Sequence, residues 1–134
     1  MAIAIWSSRF ETGIDLVDAQ HKALFEAVNR LAASFGAGTT ATQVGESLAF
    51  LAQYTLEHFQ TEEHFMREMG YPALETHRAE HARLVDKVQL LQSRLAEGKT
   101  VTMDVAIFLA DWLKHHIHGA DMAYVRFAKD KSRG

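Results

Sequence analysis

The chain is predicted to be all-α, an up-down-up-down antiparallel four-helix bundle with an N-terminal arm. Three observations predict it. Apolar residues recur at three-and-four spacing in four separate stretches, no stretch alternates over several residues as a strand would, and the links between stretches are short. Long helices joined by short links pack as antiparallel neighbours.

Residues 1–17 fall outside the helical periods and read as an ordered arm, with Trp6, Phe10 and Ile14 packing across one end of the bundle. The bundle is expected over 18–130, within a single domain spanning 1–134. Leu24, Phe25, Val28, Leu31 and Phe35 mark the first helix, and the glycines of "FGAGTT" supply its stop. The second runs through Val44, Leu48, Leu51, Thr55, His58, Phe59, Glu62, Phe65, Met66 and Met69, with Thr42 as N-cap and "MGYP" as terminator. The third follows Leu74, His77, His81, Leu84, Val85, Val88, Leu91 and Leu95, and Gly98 in "EGKT" suits its C-cap. The fourth follows Val105, Phe108, Leu109, Trp112 and His116 toward Val125, and the tail "KDKSRG" reads as a frayed end.

At 134 residues the chain can bury roughly two thirds of its unfolded surface in one core. Hydrophobic residues at 48% against 23% charged, with one proline, are a globular composition. A net charge of -3 gives little attraction to nucleic acid or anionic lipid. With no cysteine, disulfides, iron–sulfur clusters and thiolate zinc sites are excluded, so any metal is held by nitrogen and oxygen. "MAIAIWSSRF" lacks a basic leader region, and no later run is long enough to span a membrane. The expectation is a cytoplasmic protein without membrane insertion.

The histidines depart from this ordinary pattern. His58 and Glu62 are four residues apart, so they stack on one helix face, and it is the apolar face carrying Leu51, Thr55, Phe65 and Met66. His77 and His81 repeat the arrangement in line with Leu84, Val88 and Leu91. His21 shares the face of Leu24, Phe25 and Val28, and "WLKHHIHGADMAY" carries His116 and Asp121 on the fourth helix. Any one of these alone reads as a hydrogen-bonded core residue. Together they direct nitrogen or oxygen ligands from all four helices toward one axis, which is how bundles build metal sites. His64, His115 and His118 fall off these faces and are expected at the surface; Gln20 and Tyr124 are candidates to hydrogen-bond the ligands.

The order His21, His58-x-x-x-Glu62, His77-x-x-x-His81, His116-x-x-x-x-Asp121 resembles the hemerythrin signature, above all that of the single-domain bacterial members. "TGIDLVDAQH", "HFQTEEHFM", "MGYP", "HRAEH" and "WLKHHIHGAD" are similar to the same family, and the likeness covers nearly the whole chain. The resemblance implies two irons with a bridging hydroxide or oxide. It places His77, His81 and His116 on one iron, His21 and His58 on the other, and Glu62 and Asp121 across both. Two irons of about six positions each leave one position open with this donor set. The resemblance further implies reversible binding of dioxygen there, for transport, storage or delivery to an oxygen-consuming enzyme, without catalytic turnover. A monomer is the expected state.

Leu24, Phe59, Trp112, Leu113 and Ile117 flank ligand positions and are expected to form an apolar oxygen pocket that excludes water. On a regular helix His116 and Asp121 lie about 140° apart, which predicts a distorted, π-type turn near 117–120, eased by Gly119. His118, three residues before Asp121, is the rival ligand. Other readings use the same residues: a di-iron oxidase, peroxidase or nitric oxide-reactive centre, or an oxygen sensor acting through a separate partner. "HRAEH" also satisfies H-x-x-E-H with Glu80 as a base, but that zinc-protease reading leaves His21, His58, Glu62, His116 and Asp121 idle.

Overall fold

The computed structural model describes residues 3–35, 40–99 and 101–133. Gly36 and Gly38, the expected stop of the first helix, lie outside the described residues. Helices α1 (Asp15–Ala33), α2 (Ala41–Glu68), α3 (Leu74–Ala96) and α4 (Met103–His116) form the antiparallel four-helix bundle, and α4 continues through a π turn (Ile117–Asp121) into α5 (Met122–Arg133). There is no strand among the described residues.

The arm is tied down by two side chains of α1. Asp18 Oδ1 accepts from both the backbone N–H and the hydroxyl of Thr12, each at 2.8 Å, and α1 begins at Asp15, three residues ahead of the expected 18. Asn29 Oδ1 accepts from the N–H groups of Ile3 and Ala4 at 2.9 Å, and its amide donates to the Ala4 carbonyl at 2.8 Å. Trp6 and Phe10 then pack on Phe25, with ring centroids 5.4 and 5.2 Å away. Ile14 joins a different, smaller cluster around Met66, Tyr124 and Val125.

The start of α2 differs from the sequence expectation. Thr40, not Thr42, is the N-cap, because its hydroxyl accepts from Gln43 N–H while the Gln43 side chain accepts from Thr40 N–H. Gly70 and Gly98 end α2 and α3 with φ of 67° and 81°, a left-handed conformation that glycine adopts without strain. In each case the next N–H reaches back to a helix carbonyl at 2.9 Å, Tyr71 to Met66 and Lys99 to Arg94, closing the last turn.

Two further expectations are corrected on the fourth helix. Phe108 points outward, 46% exposed beside the Lys87 ammonium, and the inward face is Ala106, Leu109, Ala110, Leu113 and His116. The tail "KDKSRG" does not fray from its start, since α5 runs to Arg133. No helix of the described residues is long and apolar enough to cross a membrane.

The buried interior has a large apolar cluster drawn from all four helices and the smaller one around Met66 and Tyr124. Between them lies a layer of buried His, Glu and Asp. Leu24, Thr55, Leu84 and Leu113 sit one turn from this layer on one side, Met66, Leu74 and Tyr124 one turn from it on the other.

Gly119 has ordinary helical backbone, and a methyl group added there would meet nothing within 4 Å. Gly119→Ala is therefore expected to leave the π turn intact and to raise stability by up to about 1 kcal/mol in urea titration, with metal content unchanged. Loss of metal would show that the turn needs glycine.

Candidate metal centre

His21, His58, Glu62, His77, His81, His116 and Asp121 converge on this layer, and each is 5% exposed or less. The side chains of Glu62 and Asp121 are fully buried. Helical spacing explains the pairs on α2 and α3, where residues four apart stack along one face. The pair on the fourth helix needs the π turn. Its hydrogen bonds span five residues, so His116 and Asp121 stack as residues four apart do in an α-helix. The result is 3.2 Å between His116 Nε2 and Asp121 Oδ1.

The donor atoms fall into two overlapping groups. Glu62, His77, His81, His116 and Asp121 form one; His21, His58, Glu62 and Asp121 form the other, and within each group the ligand atoms lie within 4.8 Å of one another. Both carboxylates belong to both groups. His58 Nε2 is 3.0 Å and His81 Nε2 3.5 Å from Glu62 Oε1; His77 Nε2 is 2.9 Å from Asp121 Oδ1, and His21 Nε2 3.1 Å from Asp121 Oδ2.

These contacts are poor hydrogen bonds. Nε2 of His21, His58 and His77 and all four oxygens of Glu62 and Asp121 lack a partner of acceptable direction, and His81 and His116 face each other Nε2 to Nε2 at 3.0 Å. Buried polar atoms left this way cost about 1–3 kcal/mol each, more when charged. Metal ions between them would remove that cost, and a donor set of imidazole and carboxylate suits iron. The residues fit a two-metal centre.

The outward nitrogens of two histidines are held. His58 Nδ1 is 2.7 Å from Gln20 Oε1, whose amide nitrogen donates to Thr61 Oγ1 at 3.3 Å, and Thr61 in turn donates to the Glu57 carbonyl. That relay turns the Gln20 oxygen toward His58, so His58 Nδ1 carries the hydrogen and Nε2 presents its lone pair to the site. His81 Nδ1–H donates to Glu63 Oε2 at 2.9 Å, and the other Glu63 oxygen is 3.3 Å from Arg78 Nε. The sequence reading missed Glu63, Arg78 and Thr61. Glu63 follows ligand Glu62, but which outward nitrogen it meets depends on how α2 and α3 cross.

Two rings are also fixed by stacking. Phe59 lies flat on His81, 3.7 Å between centroids and 3° between planes, and Trp112 lies on His116 at 4.5 Å and 14°. Tyr124 is fully buried, 5.7 Å from the His77 ring, and burial with the charges of Glu62 and Asp121 holds its phenol far above the usual value. His118 is exposed, as are His64 and His115, so the fourth-helix histidine in the cluster is His116. Both histidines of "HRAEH" join Glu62, His116 and Asp121 in one donor group, so they belong to a five-residue cluster that an H-x-x-E-H zinc site would leave unused.

A small internal cavity of about 10 Å³ adjoins the layer. Its lining is Leu24, Val28, Leu51, Thr55, Phe59, Leu84, Val88, Leu109 and Leu113. Five of these stand three residues from a ligand: Leu24 from His21, Thr55 from His58, Phe59 from Glu62, Leu84 from His81 and Leu113 from His116. Of the five residues expected in an oxygen pocket, Leu24, Phe59 and Leu113 line this cavity. Trp112 stacks on His116, and Ile117, in the π turn, packs in the core; neither is among the lining residues.

A family profile described as "Hemerythrin HHE cation binding domain" matches residues 12–128. The chain belongs to the hemerythrin family. The bacteriohemerythrin of Methylococcus capsulatus is 35% identical over 126 residues, covering 92% of this chain and 95% of that protein. The bacteriohemerythrin of Stenotrophomonas maltophilia is 33% identical, with coverage of 92% and 80%. Myohemerythrin of Riftia pachyptila is 28% identical, with coverage of 90% and 89%. A wild-type hemerythrin crystal structure superposes with a TM-score of 0.88 at 34% identity, covering 93% of this chain and 97% of that one. This hemerythrin thus carries a His, Glu and Asp cluster able to bind metal.

Without metal, the charges of this hemerythrin site balance internally. Burial opposes a charge on His21, but Asp121 and Glu62 outweigh it and hold the imidazole up to about 9. His116 is raised too, against burial, by Asp121 and the charges of Glu62 and Glu80. Burial would raise the Glu62 carboxyl, but His58, His21 and His81 hold it well below the usual range. Asp121 is held far below by His116 and His21, against burial and the charge of Glu62. A raised imidazole stabilises the metal-free fold fully below its unfolded value near 6.5, and that contribution is lost as pH climbs through about 9. Metal must displace the same protons. Metal-free protein is therefore expected to lose thermal stability between pH 6.5 and about 9, and loading at pH 7 to release protons detectable with an indicator dye. Proton-neutral loading would contradict this charge balance.

Proposed function

We propose that this hemerythrin binds dioxygen reversibly at a non-haem di-iron centre. The observation that carries the reading is the unequal sharing of donors: five groups converge on one position and four on the other, with Glu62 and Asp121 common to both. His77, His81 and His116 would hold the better-filled iron, and His21 and His58 the iron with room for an exogenous molecule. When bound, the pair of ferrous ions supplies two electrons and an open coordination position to dioxygen.

The surrounding residues decide whether the exchange is reversible. The adjacent cavity is apolar apart from the Thr55 hydroxyl, so it accommodates a small uncharged molecule and gives water little to hydrogen-bond. Excluding water removes the nearest proton source, which slows loss of the bound gas as a reduced product. Burial and the charges of Glu62 and Asp121 oppose ionisation of the Tyr124 phenol and hold it well above the usual range. Imidazoles, neutral once metal has displaced their protons, outnumber carboxylates five to two in the cluster, unlike the carboxylate-rich di-iron sites that carry Glu-x-x-His pairs. That balance supports binding over turnover. Transport, storage or delivery of dioxygen to an oxygen-consuming enzyme, by a monomer in the cytoplasm, is the corresponding physiological role.

The test is an optical spectrum of anaerobically reduced, iron-loaded protein, recorded before air, after air and after the gas is removed. A band that comes and goes with dioxygen is expected; permanent conversion to a ferric spectrum would favour an oxidase. Leu24→Asn puts an amide into the cavity wall at similar volume. It is expected to speed decay of the gas-bound spectrum and to destabilise the fold by about 1–3 kcal/mol.

A further inference from the structure

The two metal positions differ in what stands behind their imidazoles. On the His21 and His58 side, the outward nitrogen of His58 meets the neutral amide oxygen of Gln20 at 2.7 Å. On the His77, His81 and His116 side, the outward nitrogen of His81 meets the Glu63 carboxylate at 2.9 Å. The outward nitrogens of His21 and His116 have no hydrogen-bond partner among the described residues. Each position therefore has a histidine held from behind, one by a neutral group and the other by an anion.

An anionic acceptor draws the Nδ1 hydrogen toward itself and leaves more electron density on Nε2, making the ring a stronger donor. A neutral amide does this less. Stronger donation stabilises the higher oxidation state of a bound ion. Resting on the di-iron reading above, we infer that Glu63 is a positioning residue that makes the two irons electronically unequal. The position held by His77, His81 and His116 favours the ferric state more than its neighbour does.

Arg78 moderates the effect. Its Nε is 3.3 Å from the second Glu63 oxygen, and the side chains are 45% and 21% exposed, so the pair is partly screened by solvent. Arg78 also meets Glu75 at 3.2 Å, which divides its charge between two carboxylates. Glu63 thus keeps most of its negative character toward His81. The geometry makes opposite demands of two substitutions: neutralising Glu63 weakens the donor, whereas neutralising Arg78 strengthens it.

The test is a spectroelectrochemical titration of the full iron-loaded chain, with iron content measured on each variant. Glu63→Gln is expected to raise one of the two potentials by about 59 mV, a tenfold change in the ferric-to-ferrous ratio for one electron. Arg78→Gln is expected to lower the same potential, and Gln20→Glu to lower the other. Residues with a merely structural role would not shift the potential in opposite directions. In the zinc-loaded chain, the His81 Nδ1–H proton resonance is expected downfield of that of His58 and should move upfield in Glu63→Gln. If the native chain holds fewer than two irons, the di-iron reading falls and the inference with it. If two irons are held but Glu63→Gln and Arg78→Gln leave both potentials unchanged, or move them the same way, the inference alone is overturned. Should Glu63→Gln lose iron, the sign of the Arg78→Gln shift and the proton resonances in the native zinc form decide.

Discussion

Two fully buried carboxylates, Glu62 and Asp121, are the constraint on which the rest of the structure depends. Each is within reach of imidazoles on helices other than its own, and each belongs to both donor groups. Buried anions are tolerated only when compensated. In the metal-free chain His21 and His116, whose proton affinity these carboxylates raise, offset them; with metal bound, cations would. The same charge pattern therefore serves the fold in one state and the ligand set in the other.

A polar layer of this kind weakens a bundle unless its neighbours hold it closed. Leucines, Thr55 and Phe59 close it on one side; Met66, Leu74 and Tyr124 close it on the other. The arm adds to this enclosure, because Asn29 and Asp18 fasten it and Trp6 then lies 6.5 Å from the His21 ring. Packing also limits ring rotation. Stacked against Phe59 and Trp112, His81 and His116 cannot turn their nitrogens away without losing aromatic contact.

The π turn shows how local backbone follows from a remote requirement. Nothing in its composition enforces it, since Gly119 has room for a side chain and takes ordinary dihedrals. The wide turn persists because His116 and Asp121 must face one centre while Ile117 packs in the core. A regular helix would present His118 instead, and that residue is exposed.

The amino-acid sequence by itself determined the helix count, the faces that turn inward and the chemical type of every donor. Those properties are local: residues four apart stack in any α-helix, and imidazole and carboxylate carry their coordination chemistry with them. It also exposed the need for an irregular turn, because five-residue spacing conflicts with helical periodicity. The Thr42 cap and the inward Phe108 were read amiss where neighbouring positions offered similar chemistry and only packing chose between them. Tertiary structure alone decided which donors are shared, that His58 meets an amide while His81 meets a carboxylate, and which side chains line the cavity. These depend on how helices distant in sequence rotate and cross against one another, a geometry that spacing along one chain does not encode.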